Sequence, residues 1–175
     1  MSSHKLAAGS PFPVITVPSV NGEQMSVGAP NDKDRWTLVV VYRGRHCPLC
    51  VKYLDSLESL LSDFDAVNTD VVAVSGDGLE KAKEQVKLGN LTLPLAYDLS
   101  IEQMKSLGLY ISNPRSPEET DQPFPEPGLF VIRPDGTIQI LDISNAPFSR
   151  PDLSSILRGI TFIQEKGYPV RGTYS

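Results

Sequence analysis

The sequence lacks several features that mark whole classes of protein. It has only two cysteines among 175 residues, which excludes the small secreted domains that depend on several disulfides. It has no basic excess, because 21 acidic residues against 16 basic ones give a formal net charge of -5. That balance argues against a general nucleic-acid binder. No apolar run approaches the ~18 residues that a membrane span requires, so we expect neither nucleic acid nor membrane among its partners.

The start of the chain also lacks a targeting signal. Residues 1–11 contain one lysine and one histidine, and they lack the apolar stretch of a secretory signal peptide. We therefore expect a cytoplasmic protein, and a dithiol in that compartment would rest in the reduced state. Hydrophobic residues make up 40% of the chain, which is enough for a packed core. The length predicts one domain that spans residues 1–175.

Strand and helix patterns alternate along most of the chain. Residues 37–42 form a continuous β-branched and apolar run, typical of a strand buried on both faces. Apolar residues at steps of three and four after Cys50 predict an amphipathic helix that runs to about residue 64. The other predicted elements are a hairpin of residues 13–17 and 25–27, strands at 71–74, 93–97, 129–132 and 138–141, and helices at 79–88, 101–107 and 153–164. This order predicts an α/β fold with a central mixed sheet flanked by helices and an N-terminal β-hairpin extension.

Prolines cluster in one acidic, polar stretch in the second half of the chain. Residues 113–126 contain four of the 15 prolines, and Pro127 follows directly. Because proline prevents regular structure, we predict a long surface loop over residues 113–126. A loop of this length in a compact domain is often functional.

The two cysteines form a Cys47-Pro48-Leu49-Cys50 motif directly after the predicted buried strand. Proline is favoured at the first position of a helix, so Pro48 predicts that Cys47 is the N-cap and that Cys50 lies in the first turn. Free backbone N–H groups and the helix dipole stabilise a sulfur anion there. The thiolate is the reactive form of cysteine, so Cys47 and Cys50 are the candidate catalytic residues.

The charges around the pair support the same interpretation. No Asp or Glu occurs between Arg35 and Leu54, whereas Arg43, Arg45 and His46 lie just before the cysteines. Cations near a thiol lower its pKa. We therefore predict that Arg43, Arg45 and His46 tune the thiolate, although His46 could equally face solvent.

Two other interpretations of the pair are a structural role in the core and half of a zinc site. A structural zinc site needs four ligands and typically a second pair of Cys or His residues. Only His4 and His46 remain as further candidates. A lone C-x-x-C in a β-α-β context is typical of a redox dithiol, so we expect no metal and no cofactor other than a Cys47–Cys50 disulfide.

Four blocks of the sequence carry a resemblance to a known family. They are AGSPFP at residues 8–13, VVVYRG at 39–44, VAVSGD at 72–77 and GLFVIRPDGT at 128–137. With these blocks the chain resembles the peroxiredoxin-like branch of the alkyl hydroperoxide reductase and thiol-specific antioxidant family, whose members are thioredoxin-fold redox proteins. The resemblance covers most of the chain and implies a thioredoxin-like fold.

The chain departs from the family pattern at the site itself. Peroxiredoxins carry P-x-x-x-T-x-x-C before the active helix; here Arg43 occupies the proline position, Cys47 the threonine position and Cys50 the position of the peroxidatic cysteine. They also have a peroxide-binding arginine just before the L-F-x-I strand, where this chain has Pro127. Pro127 resembles instead the cis-proline that shapes the substrate groove of thioredoxins, and we expect Pro127 and Pro48 to line such a groove.

The resemblance implies an antioxidant thiol oxidoreductase that cycles the pair between dithiol and disulfide. Its oxidant would be a peroxide, with Cys50 oxidised first, or a disulfide, with Cys47 attacking first. The resemblance implies a thioredoxin- or glutathione-type electron donor and, because family members are often dimers, a homodimer. The alternative is a non-catalytic redox sensor or thioredoxin-fold binding module that recognises its partner through residues 113–126.

Overall fold

The computed structural model describes residues 5–30 and 33–175. His4, considered above as a metal ligand, lies outside these residues. The strands are β1 (Ile15–Pro18), β2 (Gln24–Val27), β3 (Trp36–Val41), β4 (Thr69–Val74), β5 (Leu95–Ala96), β6 (Ile111–Ser112), β7 (Phe124–Pro125), β8 (Gly128–Ile132) and β9 (Ile138–Ile143). The helices are α1 (Pro48–Ser59), α2 (Leu61–Ala66), α3 (Leu79–Gly89), α4 (Ile101–Ser106) and α5 (Leu153–Lys166).

A mixed five-stranded sheet in the order β5-β4-β3-β8-β9 forms the centre of the fold. Strands β3, β4 and β5 are parallel, and β8 and β9 are added in antiparallel register. A parallel pair needs a long crossover, and α1 and α2 supply it between β3 and β4. The predicted central mixed sheet is confirmed, and so is the N-terminal hairpin of β1 and β2.

Helices and the hairpin cover the two faces of the sheet. Successive side chains of a strand point to opposite faces, so Leu38 and Val40 pack with α1, α3 and α5, whereas Val39 and Val41 pack with α4 and the hairpin. The two apolar layers therefore lie on opposite faces of β3. This explains why the run at residues 37–42 is continuously apolar, as predicted for a strand buried on both faces.

The helix predicted from Cys50 to residue 64 is in fact two helices. The first ends at Ser59, Leu60 has a non-helical ψ of 3°, and the second begins at Leu61. The Leu60 N–H donates to the carbonyl of Leu57, as in a tightened last turn. Apolar spacing alone could not show the break, because Leu57 and Phe64 enter the same core on either side of it.

The proline-rich stretch is only partly the surface loop that was predicted. Its last residues form strand β7, which pairs with β6, and Phe124, Pro125 and Glu126 are buried. Proline lacks the N–H for a ladder bond, but it is compatible with the edge of a sheet, and Pro125 lies in such a two-stranded sheet. Within the described residues, every helix is too short or too polar to cross a membrane.

Candidate active site

The cysteine pair lies at the start of α1, directly beyond the carboxyl end of β3. Cys47 is the N-cap in an extended conformation, and Pro48 is the first residue of the helix. The backbone N–H of Cys50 donates to Cys47 Sγ at 3.4 Å. The capping geometry predicted from the position of Pro48 is therefore what the structure shows.

Both sulfurs are free thiols in the interior of the protein. Cys47 is 2% exposed and Cys50 is fully buried. The side chain of Cys50 lowers the pKa of Cys47 by hydrogen bonding to it, and the Cys50 backbone N–H and Arg43 lower it further, against the effect of burial. The same hydrogen bond and burial raise the pKa of Cys50. The two pKa shifts have opposite directions, and they favour the thiolate on Cys47 and the thiol on Cys50.

Arg43 is placed as predicted, next to the thiolate. Its guanidinium lowers the pKa of Cys47, and its Nε lies 2.9 Å from Oε1 of the buried Glu126. The guanidinium also lies over the ring of Phe124, 4.8 Å from the centroid. The hydroxyl of Ser112 donates to Glu126 Oε2 at 2.6 Å, so the carboxylate is itself held in place.

His46 is half-buried and does not simply face solvent. Its ring packs edge-on against Phe124 with 4.6 Å between centroids. Burial lowers the pKa of His46, and the neighbouring Asp77 carboxylate opposes that shift. Gly44 has a φ of +144°, and a Cβ there would lie 2.9 Å from both His46 Nδ1 and Asp77 Oδ1. Only glycine therefore fits between the two side chains.

Arg45 is not brought to the sulfurs. Its guanidinium forms an ion pair with Glu84 on α3, and its backbone N–H donates to Asp77 at 2.8 Å. The charge of Arg45 is balanced at the surface, and its backbone helps to fix Asp77 instead. The predicted tuning role rested on closeness in sequence, which does not determine where a long side chain points.

The two prolines expected to line a groove differ in their setting. Pro48 is exposed at the first position of α1, whereas Pro127 is buried between β7 and β8. No peptide bond is cis among the described residues, so the expected cis-proline at Pro127 is wrong. Pro127 is flanked by strand pairing on both sides, and the chain passes through it in the ordinary trans form.

A third arginine, which sequence reasoning missed, reaches the pair. Arg150 Nη2 lies 3.2 Å from Cys50 Sγ and 3.9 Å from Cys47 Sγ. Arg150 belongs to the segment between β9 and α5, about 100 residues after the cysteines. No local pattern links the two regions, because the segment before α5 meets α1 only in the folded chain, where the Tyr53 hydroxyl donates to the carbonyl of Pro151.

The predicted metal-free character of the site remains a prediction. Among residues 5–30 and 33–175, no group of three or more His, Cys, Asp or Glu side chains is arranged to hold a metal ion. The chemistry that the site itself supports is that of a thiolate beside a thiol, with Arg43 next to one sulfur and Arg150 next to both.

Comparison with known proteins identifies one family model and a relative, and both cover most of the chain. The model of the AhpC/TSA family matches residues 8–140. A mitochondrial thioredoxin-dependent peroxide reductase from Bos taurus is 22% identical over 157 residues, which cover 85% of this chain. The chain spans only 58% of the length of that relative.

Solved structures show the same fold. Peroxiredoxin 6 of Arenicola marina superposes with a TM-score of 0.74 at 20% identity, over 91% of this chain and 74% of that one. A peroxiredoxin-like protein from Aquifex aeolicus superposes with a TM-score of 0.76 at 16% identity, over 90% and 88% of the two chains. The expected thioredoxin-like fold is therefore confirmed.

Proposed function

Because the chain belongs to the AhpC/TSA family, we propose that it is a thiol-dependent oxidoreductase of the peroxiredoxin-like type that reduces a small peroxide with its Cys47–Cys50 dithiol. The observation that carries this proposal is the position of the two free thiols at the start of α1, where Cys47 is the N-cap and Cys50 lies in the first turn. The backbone N–H of Cys50 donates to Cys47 Sγ, and hydrogen bonding from Cys50 lowers the pKa of Cys47 in favour of its thiolate. A nucleophile and its resolving partner are thus within one turn of helix.

The burial of both sulfurs favours a small oxidant over a protein disulfide. Cys47 is 2% exposed and Cys50 has no exposed surface, so a folded protein substrate could not reach either sulfur without local opening. A peroxide needs only a narrow path. The bovine relative is a peroxide reductase by name, which supports the same substrate class here.

The reaction takes place in two balanced steps. The Cys47 thiolate attacks one peroxide oxygen; an S–O bond forms, the O–O bond breaks, and the leaving oxygen takes a proton from water, which gives an alcohol or water. Cys47 is then a sulfenic acid and has lost two electrons. The Cys50 thiol displaces the hydroxyl, an S–S bond forms, and water leaves. Local opening of the start of α1 then exposes the disulfide, and an external dithiol, or two monothiols, reduces it by thiol–disulfide exchange.

The expected partners follow from this cycle. We propose a thioredoxin- or glutathione-type electron donor, a homodimer and a cytoplasmic site of action, where the resting pair would be reduced. The cycle uses no cofactor beyond the Cys47–Cys50 disulfide. The family match gives no support to the alternative of a non-catalytic redox sensor or binding module.

Trapping the first oxidised sulfur tests the proposal. Fully reduced wild type, Cys47→Ser and Cys50→Ser are mixed with hydrogen peroxide, quenched with a sulfenic-acid reagent and analysed by peptide mass spectrometry. We expect rapid trapping on Cys47 in Cys50→Ser and slow oxidation of Cys47→Ser. Rapid trapping on Cys50 in Cys47→Ser would instead assign the attack to the cysteine at the family's peroxidatic position. Oxidation of the wild type at the rate of a free thiol would overturn the proposal.

A further inference from the structure

A pocket at the outer edge of the sheet lies away from the cysteine pair. Strand β9, the last in the sheet order, forms one wall, and α5 with the segment after it forms the other. We call it the α5 pocket; its volume is about 620 Å³, within the ~300–1,000 Å³ of typical small-molecule sites. Neither cysteine lines it. Most of its lining is apolar or aromatic: Ile140, Leu141, Phe162, Ile163, Tyr168 and Pro169.

A β-bulge brings a glutamine into the lining of the α5 pocket. Two consecutive residues of β8, Val131 and Ile132, are paired with Ile140 and Ile138 of β9. Gln139 is therefore an extra residue of β9 that has no partner in β8. A bulge bends its strand and re-aims side chains, and here Gln139 lines the pocket.

The buried amide oxygen of Gln139 has no hydrogen-bond donor. The residue is 6% exposed, and its Oε1 has no hydrogen-bond partner among the described residues. A buried acceptor without a donor is destabilising and calls for an explanation. An N–H or O–H group of a ligand in the pocket would supply the missing donor.

A glycine in the middle of α5 leaves space in the same pocket. Glycine in a helix interior is less stable than alanine, so its presence there calls for a reason. Close packing is not the reason at Gly159, because an added Cβ would have no atom within 4 Å. Gly159 lines the α5 pocket, and a larger side chain there would occupy space that is open to a ligand.

A positive charge lies at the rim of the α5 pocket. Nη1 of Arg171 donates to the Tyr168 hydroxyl at 2.8 Å, and the guanidinium lies 5.6 Å from the centroid of that ring. Over residues 5–30 and 33–175, no carboxylate forms an ion pair with Arg171. The ring of Phe162 packs against Tyr168 with 5.5 Å between centroids. The pocket thus offers an aromatic wall beside a guanidinium.

We infer that the α5 pocket binds a small aromatic carboxylic acid that carries an N–H or O–H donor. The aromatic body packs against Phe162 and Tyr168, which are 50% and 37% exposed. Its donor group reaches Gln139 Oε1, and its carboxylate pairs with Arg171, since a guanidinium matches the geometry of a carboxylate. The inference does not rest on the proposed function, because neither cysteine takes part in binding.

Two acids of this class and two blocked derivatives test the inference. Indole-3-propionate and para-hydroxyphenylpropionate are titrated into the full chain, and NMR shifts of assigned backbone amides give the dissociation constant and the place of binding. The methyl ester of indole-3-propionate lacks the charge, and its N-methyl derivative lacks the donor. The variants are Gly159→Leu, Gln139→Leu and Arg171→Gln. Arg158→Gln is the matched control, because Arg158 is exposed on α5 and does not line the pocket.

We expect saturable shifts in β9 and α5 with wild type and with Arg158→Gln, and their loss in Gly159→Leu. Blocking the ligand N–H should weaken binding to wild type about 10-fold, as for an acceptor left unpaired, and should have no such effect in Gln139→Leu. Arg171→Gln should weaken binding of the acid by up to about 5-fold, as for an exposed ion pair, without changing binding of the ester.

Three results would overturn the inference while leaving the proposed function intact. One is the absence of saturable shifts at the α5 pocket with either acid. Another is a preference for the N–H ligand that persists unchanged in Gln139→Leu. The third is a wild-type dimer that becomes a monomer in Gly159→Leu on analytical ultracentrifugation, because a second copy of the chain would then cover the pocket.

Discussion

The cysteine pair lies between two regions that are built in opposite ways. On one side, residues 110–127 form the loop side, where Phe124 and Glu126 are buried against Arg43 and His46. On the other, residues 145–152 form the arginine side, where Arg150 reaches the sulfurs from a segment whose Phe148 is 83% exposed. On the loop side the buried Glu126 is paired with Arg43. On the arginine side no described carboxylate forms an ion pair with Arg150, and its buried Nη1 has no hydrogen-bond partner among the described residues.

The loop side supports the structure of the site, whereas the arginine side acts on the reactivity of the sulfurs. The loop side fixes the cation next to Cys47 by surrounding it with a carboxylate and an aromatic ring, so a change there should unfold or loosen the protein. The arginine side contributes little packing around Phe148, so changes at its surface should leave stability intact. Stability and reactivity should therefore respond to substitutions on different sides of the pair.

The largest contrast is expected between the two phenylalanines. Phe124 is 3% exposed and contacts both His46 and Arg43, so Phe124→Ala should lower the free energy of unfolding by about 3–5 kcal/mol. Phe148→Ala removes an exposed ring and should change it by less than about 0.5 kcal/mol. Urea denaturation of the two variants measures both values. Similar losses in both would contradict the distinction between the two sides.

The next contrast compares the ion pairs of Arg43 and Arg45, which lie two residues apart in the sequence. Arg43→Met leaves Glu126 buried without its cation and should cost about 3 kcal/mol, as for breaking a buried pair. Arg45→Met breaks a partly exposed pair with Glu84 and should cost at most about 1 kcal/mol. Thermal and urea unfolding at moderate salt provide the test. A larger loss in Arg45→Met would show that the outer pair, and not the one beside Cys47, holds this region together.

A smaller effect is expected at two glycines. Gly44→Ala places a Cβ 2.9 Å from His46 Nδ1 and Asp77 Oδ1 at a φ of +144°, and such strain should cost about 2 kcal/mol. Gly159 lies in α5 with no atom within 4 Å of an added Cβ. Gly159→Ala should therefore stabilise the helix by about 0.5–1 kcal/mol. Opposite signs in paired denaturation curves are the expected result, and equal signs would contradict it.

Features of the fold and the site that depend on residues close together in the sequence could be predicted, whereas contacts between distant segments could not. The capping of α1 by Cys47 was predictable, because Pro48 fixes the helix start within one residue. The hairpin of β8 and β9 was predictable from turn residues that lie between the strands. Arg43 lies two residues beyond β3 and close to the pair, but the same closeness in sequence did not bring Arg45 to the sulfurs, and the tuning role of Arg43 stays a prediction.

Contacts between distant segments could not be predicted in the same way. Arg150 reaches Cys50 because the segment before α5 folds onto α1, and no local sequence pattern indicates that contact. Glu126 was placed in a surface loop, yet pairing of β7 with β6 buries it against Arg43. The expected cis bond at Pro127 came from the resemblance to thioredoxins, and the sequence around it contains no independent signal for that isomer.

The smallest change is expected in the alkylation rate of Cys47 when the pH of a wild-type solution is lowered. The thiolate fraction of an ordinary thiol with a pKa near 8.5 falls about 20-fold between pH 8 and pH 6.5. The hydrogen bonds from Cys50 and the Arg43 cation hold the pKa of Cys47 well below that range, so its alkylation rate should change by less than about twofold. Iodoacetamide rates across this interval measure the effect, with Arg43→Met as the comparison that should regain pH dependence.

The sign of the linked stability follows from the same shift. Because folding lowers the pKa of Cys47, the thiolate stabilises the native state above the unfolded pKa, and this contribution disappears as the pH falls through the folded pKa. The raised pKa of Cys50 acts in the other direction, because its contribution is present below the unfolded pKa and is lost as the pH rises. The free energy of unfolding of the wild type relative to a Cys47→Ser, Cys50→Ser double variant should therefore be greatest near the pKa of a free thiol. A difference that does not vary with pH would mean that folding does not shift the two pKa values in opposite directions, and it would contradict the assignment of the nucleophile to Cys47.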